Sequence, residues 1–380
     1  MSTVVSRAAR RRWASVAGGT ALLVGSLGVA PWAWSAVGVA PTSASAEAVV
    51  ERALASGDVS YSATGESRGS LALPDVRGFG GLASLVGGTT RTRIWWAGDS
   101  HWRVDVVGLT GEQDTYGLPS STTTWDYETR RLVTVAGEPS ARLPRADDLV
   151  APRAVQRLLS ALGPTDRLSL LPARRIGGRD ADGLRVVPGD ARSTIARAEV
   201  WVDRATGLPL RLRMVDRAGD DALVTTLSGV RLGRPDDEVL RPPTTSTARR
   251  ELETAPDLVA RLAARSTWQM PDELAGLQAS DPAAAGTPTY GTGLVRVAVL
   301  PLPGRLTREV VANVTSAGSV SEDVAGGSLV RVGSSLLNVV LAVGDDGRHA
   351  YVITGLVDPT LLDELATELL ASPPPLRYGR

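Results

Sequence analysis

Cysteine is absent from the 380 residues. That excludes disulfides, thiolate chemistry and zinc–thiolate sites, and with them any lipidation that needs a cysteine after a leader. Lysine is absent too, so all 41 basic side chains are arginine. The glycine-rich runs at 78–81 and 87–88 therefore lack the lysine of a phosphate-binding loop. Arginine occurs in every segment, which reads as compositional bias. Histidine occurs only twice, at His101 and His349. Each lies beside a predicted turn, far from the other, so no metal site and no cofactor are expected. No Gly-x-Ser-x-Gly elbow is present. Acidic pairs such as Asp147-Asp148 and Asp220-Asp221 read as solvated turns rather than catalytic dyads. The chain is expected not to be an enzyme. The 41 acidic residues balance the 41 basic ones, so no general attraction to nucleic acid is implied.

What is present begins with the N-terminus. Arg7, Arg10, Arg11 and Arg12 precede a stretch from Trp13 to Ala40 with no charge. Positive charge before an apolar run directs the downstream chain outward. Residues 1–46 are expected to be an export signal or an N-terminal membrane anchor. Ala44-Ser45-Ala46 is a small-x-small cleavage site, yet the run is also long enough to span a bilayer, so both readings stand. The bulk of the chain is expected outside the cytoplasm.

The body, with 43% hydrophobic and 22% charged residues, is globular and long enough for two domains. Residues 47–56 read as a short helix. Strands follow at 61–66, 92–97, 101–107, 122–127 and 132–136, with alternation clearest in Trp102-Arg103-Val104-Asp105-Val106. Ala154–Leu162 reads as an amphipathic helix stopped by Gly163-Pro164. Strands resume at 168–176, 184–188, 196–203, 209–216 and 222–232. Pro242-Pro243 ends this first domain, expected over 47–245. A connector, 246–288, carries a helical stretch. A smaller α+β domain, 289–372, comes next, with strands at 294–301, 329–332, 338–343 and 350–355 and helices over 305–317 and 359–370. Asp358 and Pro359 cap the last helix.

Two groups of residues carry a family resemblance. Arg93-Ile94-Trp95-Trp96-Ala97 with His101-Trp102-Arg103-Val104-Asp105, Thr124-Trp125-Asp126-Tyr127, and Glu199-Val200-Trp201-Val202-Asp203 before Thr206-Gly207-Leu208-Pro209 resemble strands of the outer-membrane lipoprotein carrier (LolA-like) superfamily. Tyr290-Gly291-Thr292-Gly293-Leu294 and Val352-Ile353-Thr354-Gly355-Leu356-Val357-Asp358-Pro359 are similar to the C-terminal domain of periplasmic envelope-stress regulators of the RseB/MucB type. The resemblance implies a mainly β (α+β) fold: a strongly curved antiparallel half-barrel sheet with helices on its concave side, plus the smaller C-terminal domain.

It also implies a binding function. Trp95, Trp102, Val104, Trp125 and Trp201 fall on predicted strands and are candidates for lining an apolar cavity. Phe79, Leu82 and Leu85, in the apolar insertion 71–88, are candidates for a lid over it. Trp95 and Trp96 are neighbours, so only one of them can face the cavity. The expected ligand is a lipid, an acyl chain or a lipoprotein. The alternative is a signalling regulator that binds the outer segment of a membrane protein, such as an anti-sigma factor or a transporter.

Overall fold

A computed structural model describes residues 39–70, 87–108, 111–137, 144–245, 247–255, 269–280, 288–302, 321–347 and 349–375. Residues 1–38 of the expected export segment, the expected helix over 305–317 and the lid residues Phe79, Leu82 and Leu85 lie outside the described residues.

The chain enters through helix α1 (Ala46–Leu54), whose first turn is capped by Ser45 accepting from the Ala48 amide at 3.2 Å. Six strands come next: β1 (Tyr61–Gly69), β2 (Thr89–Trp96), β3 (Trp102–Val107), β4 (Glu112–Leu118), β5 (Ser121–Asp126) and β6 (Arg131–Ala136). Helix α2 (Ala151–Ser160) precedes β7 (Arg167–Ile176), β8 (Arg179–Val187), β9 (Ile195–Asp203), β10 (Pro209–Asp216), β11 (Asp221–Leu232) and β12 (Arg249–Thr254). These twelve strands form one curved, unclosed sheet in the order β12-β6-β5-β4-β3-β2-β1-β11-β10-β9-β8-β7. Every pairing is antiparallel except that of β12, which lies parallel to β6. The connector expected from residue 246 thus opens with an edge strand of the large sheet.

Helices α1 and α2 lie against the β7–β11 half of this sheet. Leu184, Val186, Val200, Leu212 and Met214 meet Val49 and Ala53 of α1 and Val155, Leu158 and Leu159 of α2 in one buried cluster. Each such aliphatic side chain contributes about 1.5–3 kcal/mol when fully buried. Among the described residues no helix is long and apolar enough to cross a membrane.

Beyond two short strands, β13 (Glu273–Leu274) and β14 (Leu277–Gln278), lies a second sheet. Its strands are β15 (Thr289–Thr292), β16 (Val295–Pro301), β17 (Ser321–Val324), β18 (Gly327–Gly333), β19 (Asn338–Gly344) and β20 (Ala350–Gly355), ordered β15-β16-β20-β19-β18-β17. Helix α3 (Pro359–Ala371) starts at Asp358, which accepts from the Thr360 amide at 2.8 Å. Its Leu361, Leu362, Leu365 and Leu369 close on Val297, Val340 and Ile353. The two sheets meet at a bridge between Ser193 and Val357. There the Thr194 amide donates to the Leu356 carbonyl at 3.0 Å, and the Thr194 hydroxyl donates to the Leu336 carbonyl at 2.6 Å.

Candidate functional site

Antiparallel pairs place the side chains of facing residues on one side of a sheet. The pairs Tyr61↔Trp96 and Trp96↔Trp102 therefore set three rings in a row across β1, β2 and β3. Tyr61 and Trp96 stack with centroids 6.4 Å apart at 17°, and Trp96 and Trp102 stack at 5.7 Å and 10°. The row runs on to Gly117 of β4, opposite Trp102. A Cβ at Gly117 would lie 2.1 Å from the indole, so Gly117 makes the space in which Trp102 lies flat. Both indole N–H groups are satisfied locally: Trp96 donates to the Gly57 carbonyl at 3.2 Å and Trp102 to the Asp99 carbonyl at 3.1 Å.

The ladder lies on the sheet face that the helices cover. Arg153, in the first turn of α2, holds its guanidinium 4.8 Å from the Trp96 ring centroid and 5.7 Å from that of Trp102. Stacking of this kind is worth about 0.5–2 kcal/mol, more as water is excluded. Among the described residues no carboxylate pairs with Arg153, and its buried Nε has no acceptor. Burial raises the pKa of the Tyr61 hydroxyl, against the opposing charge of Arg153. Between Arg153, Gln156, Ser56, Tyr61, Trp96 and Leu208 remains about 10 Å³ of space, room for no more than one water. The site is an apolar, π-rich floor under an unneutralised cation, suited to an amphipathic group with an anionic end. An acyl chain needs α2 or the Ala55–Asp58 turn to move first.

Of the residues singled out from sequence, Trp102 and Val104 stand on this face, Val104 opposite Ile94 in the next row. Trp95, Trp125 and Trp201 stand on the other face and apart from one another. Trp95 lies beneath Arg103 and Arg93, at 5.0 and 6.0 Å. Trp125 packs with Tyr116 and Leu132. Trp201 pairs with Gly183 and Arg211, whereas its neighbour Val200 pairs with Leu184 and Leu212 of the helix-covered core. Tyr61 and Arg153 were not among the sequence candidates. Arg153 carries no sequence signal, because its partners lie on strands about fifty residues earlier.

The other face also holds buried charge. Asp105 of β3 sits directly opposite Asp114 of β4, both fully buried. The alternation of β3 marked Asp105 as solvent-facing; the sheet continues beyond it, and Arg103 covers it. Arg103 donates to Asp105 at 2.6 and 3.0 Å and to Asp114 at 2.8 Å. Arg93 reaches Asp105 at 3.2 Å and also binds Glu112. Burial, then the charge of Asp105, pushes the Asp114 carboxyl up to about 7, and burial raises Asp105 as well. Oxygens of Asp105, Glu112 and Asp114 lie within 4.8 Å of one another. Two guanidiniums, Arg93 and Arg103, already pair with all three, so the cluster is an ion-pair network. Strand β4 escaped the sequence reading because Glu-Gln-Asp-Thr-Tyr-Gly-Leu lacks apolar alternation.

The large sheet is thus open and curved, with helices against one face. Residues 133–232, which run from β6 to β11 and include α2, match the family model described as the MucB/RseB N-terminal domain. No curated protein matches the sequence. Among solved structures, the Pseudomonas aeruginosa MucA/MucB complex is 17% identical, covering 84% of this chain and 96% of that one, with a TM-score of 0.46. A structure of MucB is 18% identical, covering 86% and 98%, with a TM-score of 0.45. A LolA superfamily protein from Nitrosomonas europaea is 15% identical, covering 53% and 99%, with a TM-score of 0.25.

Proposed function

We propose that this chain is an extracytoplasmic regulator that docks on the outer segment of a membrane protein of the anti-sigma-factor type. The observation that carries the reading is the match of residues 133–232 to the MucB/RseB N-terminal domain. MucB has been solved in complex with the periplasmic part of MucA, and the proposal extends that kind of partner to this chain. The tight packing under α2 supports a polypeptide ligand over a resident acyl chain, because the described residues around the ladder leave space for about one water.

A second reading, a lipid or lipoprotein acyl chain bound over Trp102 and Val104, is favoured by one feature. Arg153 is unneutralised above an aromatic floor, which suits an acyl chain with an anionic head. In this reading 47–245 and 289–372 are separate lobes, and Phe79, Leu82 and Leu85 cover the bound chain.

The two readings separate experimentally. The chain is purified from its own membranes under mild crosslinking, and co-purifying polypeptides and extracted lipids are identified by mass spectrometry. The outer segment of any captured single-pass protein is then titrated into the purified chain. Direct binding of that segment by lipid-free chain supports the regulator. Stoichiometric lipid with no binding segment supports the carrier and overturns the regulator.

A further inference from the structure

On the face away from the helices, the half of the sheet formed by β7–β11 is rich in arginine, and much of it is paired. Arg179 pairs with Asp203, Arg185 and Arg197 with Glu199, and Arg213 with Glu199 and Asp221. Others on this face, Arg174 and Arg211 among them, have no such pair. Arg174 and Arg211 hold their guanidiniums 5.0 and 5.8 Å from the ring centroid of Trp201, and among the described residues neither has a carboxylate partner. Trp201 is only 2% exposed, so the two cations roof a buried indole. The register places Gly183 on one side of Trp201 and Arg211, then Thr226, on the other. Both the Trp201 Nε1 and the Arg211 Nε are buried donors without an acceptor. Leaving such a donor unsatisfied costs about 1–3 kcal/mol. Burial, and then the adjacent charge of Arg174, lowers the pKa of Arg211 from its ordinary value. The spot is short of negative charge and of acceptors at once.

We propose that Arg174, Arg211 and Trp201 form a binding site for a phosphate monoester group. Two planar guanidiniums offer forked donors matched to a tetrahedral oxyanion. A phosphate monoester approaches two negative charges at neutral pH, which balances two cations where a carboxylate balances one. The site lies on the opposite face from the Arg153 ladder, so it does not depend on which function holds there. The same chemistry is offered by free phosphate and by a lipid headgroup.

The test uses the full chain. Inorganic phosphate is titrated calorimetrically at constant ionic strength, with acetate as control. Co-sedimentation is then measured with phosphatidylcholine vesicles with and without phosphatidic acid. Binding is expected to at least one phosphate probe and to weaken about tenfold in R174Q, and further in R174Q/R211Q. Arg174 is exposed, so R174Q is expected to melt as the parent does, which separates lost binding from lost fold. Binding of phosphate alone identifies a free-phosphate site, and binding only of phosphatidic acid vesicles identifies a headgroup site. Absence of binding to both probes, unchanged binding by R174Q, or acetate binding as tightly as phosphate would each overturn the proposal.

Discussion

The two halves of the large sheet bury different surfaces on the same face. From β7 to β11 the covered face is aliphatic, with Leu184, Val186, Val200 and Leu212 interlocked with α1 and α2. From β1 to β3 it is aromatic, a stacked row of Tyr61, Trp96 and Trp102 roofed by Arg153, with Arg145 also 5.9 Å from the Trp102 centroid. Aliphatic side chains gain by close packing alone. Stacked rings add a negative face that holds a cation. The first half therefore works as a scaffold, whereas the second leaves a charge without a partner, where a ligand can supply one.

The largest expected effect sharpens this contrast. Trp102→Ala is expected to lower stability by about 3–5 kcal/mol and Leu212→Ala by about 2–5 kcal/mol, read as denaturant midpoints. Only Trp102→Ala is expected also to change partner or lipid binding; equal binding losses in both variants would erase the distinction.

Gly117→Ala is a subtler way to break the aromatic half. The added methyl meets the Trp102 ring, and overpacking of this kind costs about 1–3 kcal/mol. The signature is a changed near-ultraviolet circular dichroism spectrum with the far-ultraviolet spectrum kept. An unchanged near-ultraviolet spectrum would mean that the indole is free to move aside.

The buried acid pair on the other face gives a pH signature. The folded Asp114 carboxyl is raised to about 7 by burial and by Asp105, against about 3.9 unfolded. Between those values the folded state holds more protons than the unfolded one. Stability is therefore expected to fall as pH rises from about 4 to about 7. Asp105 titrates with Asp114 as a pair, so Asp114→Asn is expected to flatten the slope without abolishing every contribution. A variant whose stability falls as steeply as the parent's over that range would refute this.

The smallest effect is expected from Arg153→Gln. It removes a cation–π contact worth about 0.5–2 kcal/mol and no ion pair. A loss well beyond that in thermal melting would indicate a structural role that the geometry does not show.

Much of the fold was legible in the sequence. The run from Arg167 to Leu232 announced itself through strands broken by Gly and Asp turns, α2 through an apolar face and a Gly-Pro stop, and α3 through an apolar face with proline at its start. Two strands of the large sheet were not legible. Strand β4 buries Asp114 and Tyr116 rather than an apolar stripe, and β12, Arg-Arg-Glu-Leu-Glu-Thr, is a polar edge strand. The candidate site was half legible. Local alternation marks which residues share a face within one strand, and it paired Trp102 with Val104. It cannot say which face of one strand continues which face of the next, because that is set by register between distant segments.

The sequence by itself determined the strand-rich, cysteine-free composition, the helix caps and the rule that Trp95 and Trp96 point to opposite sides. Tertiary structure alone decided that Trp96, not Trp95, joins Tyr61 and Trp102. It also decided that Arg153 covers them, and that Arg174 and Arg211 meet over Trp201 without a counter-charge. Each of these depends on long-range pairing, in which side chains far apart along the chain are brought within a few ångströms by backbone hydrogen bonds between strands.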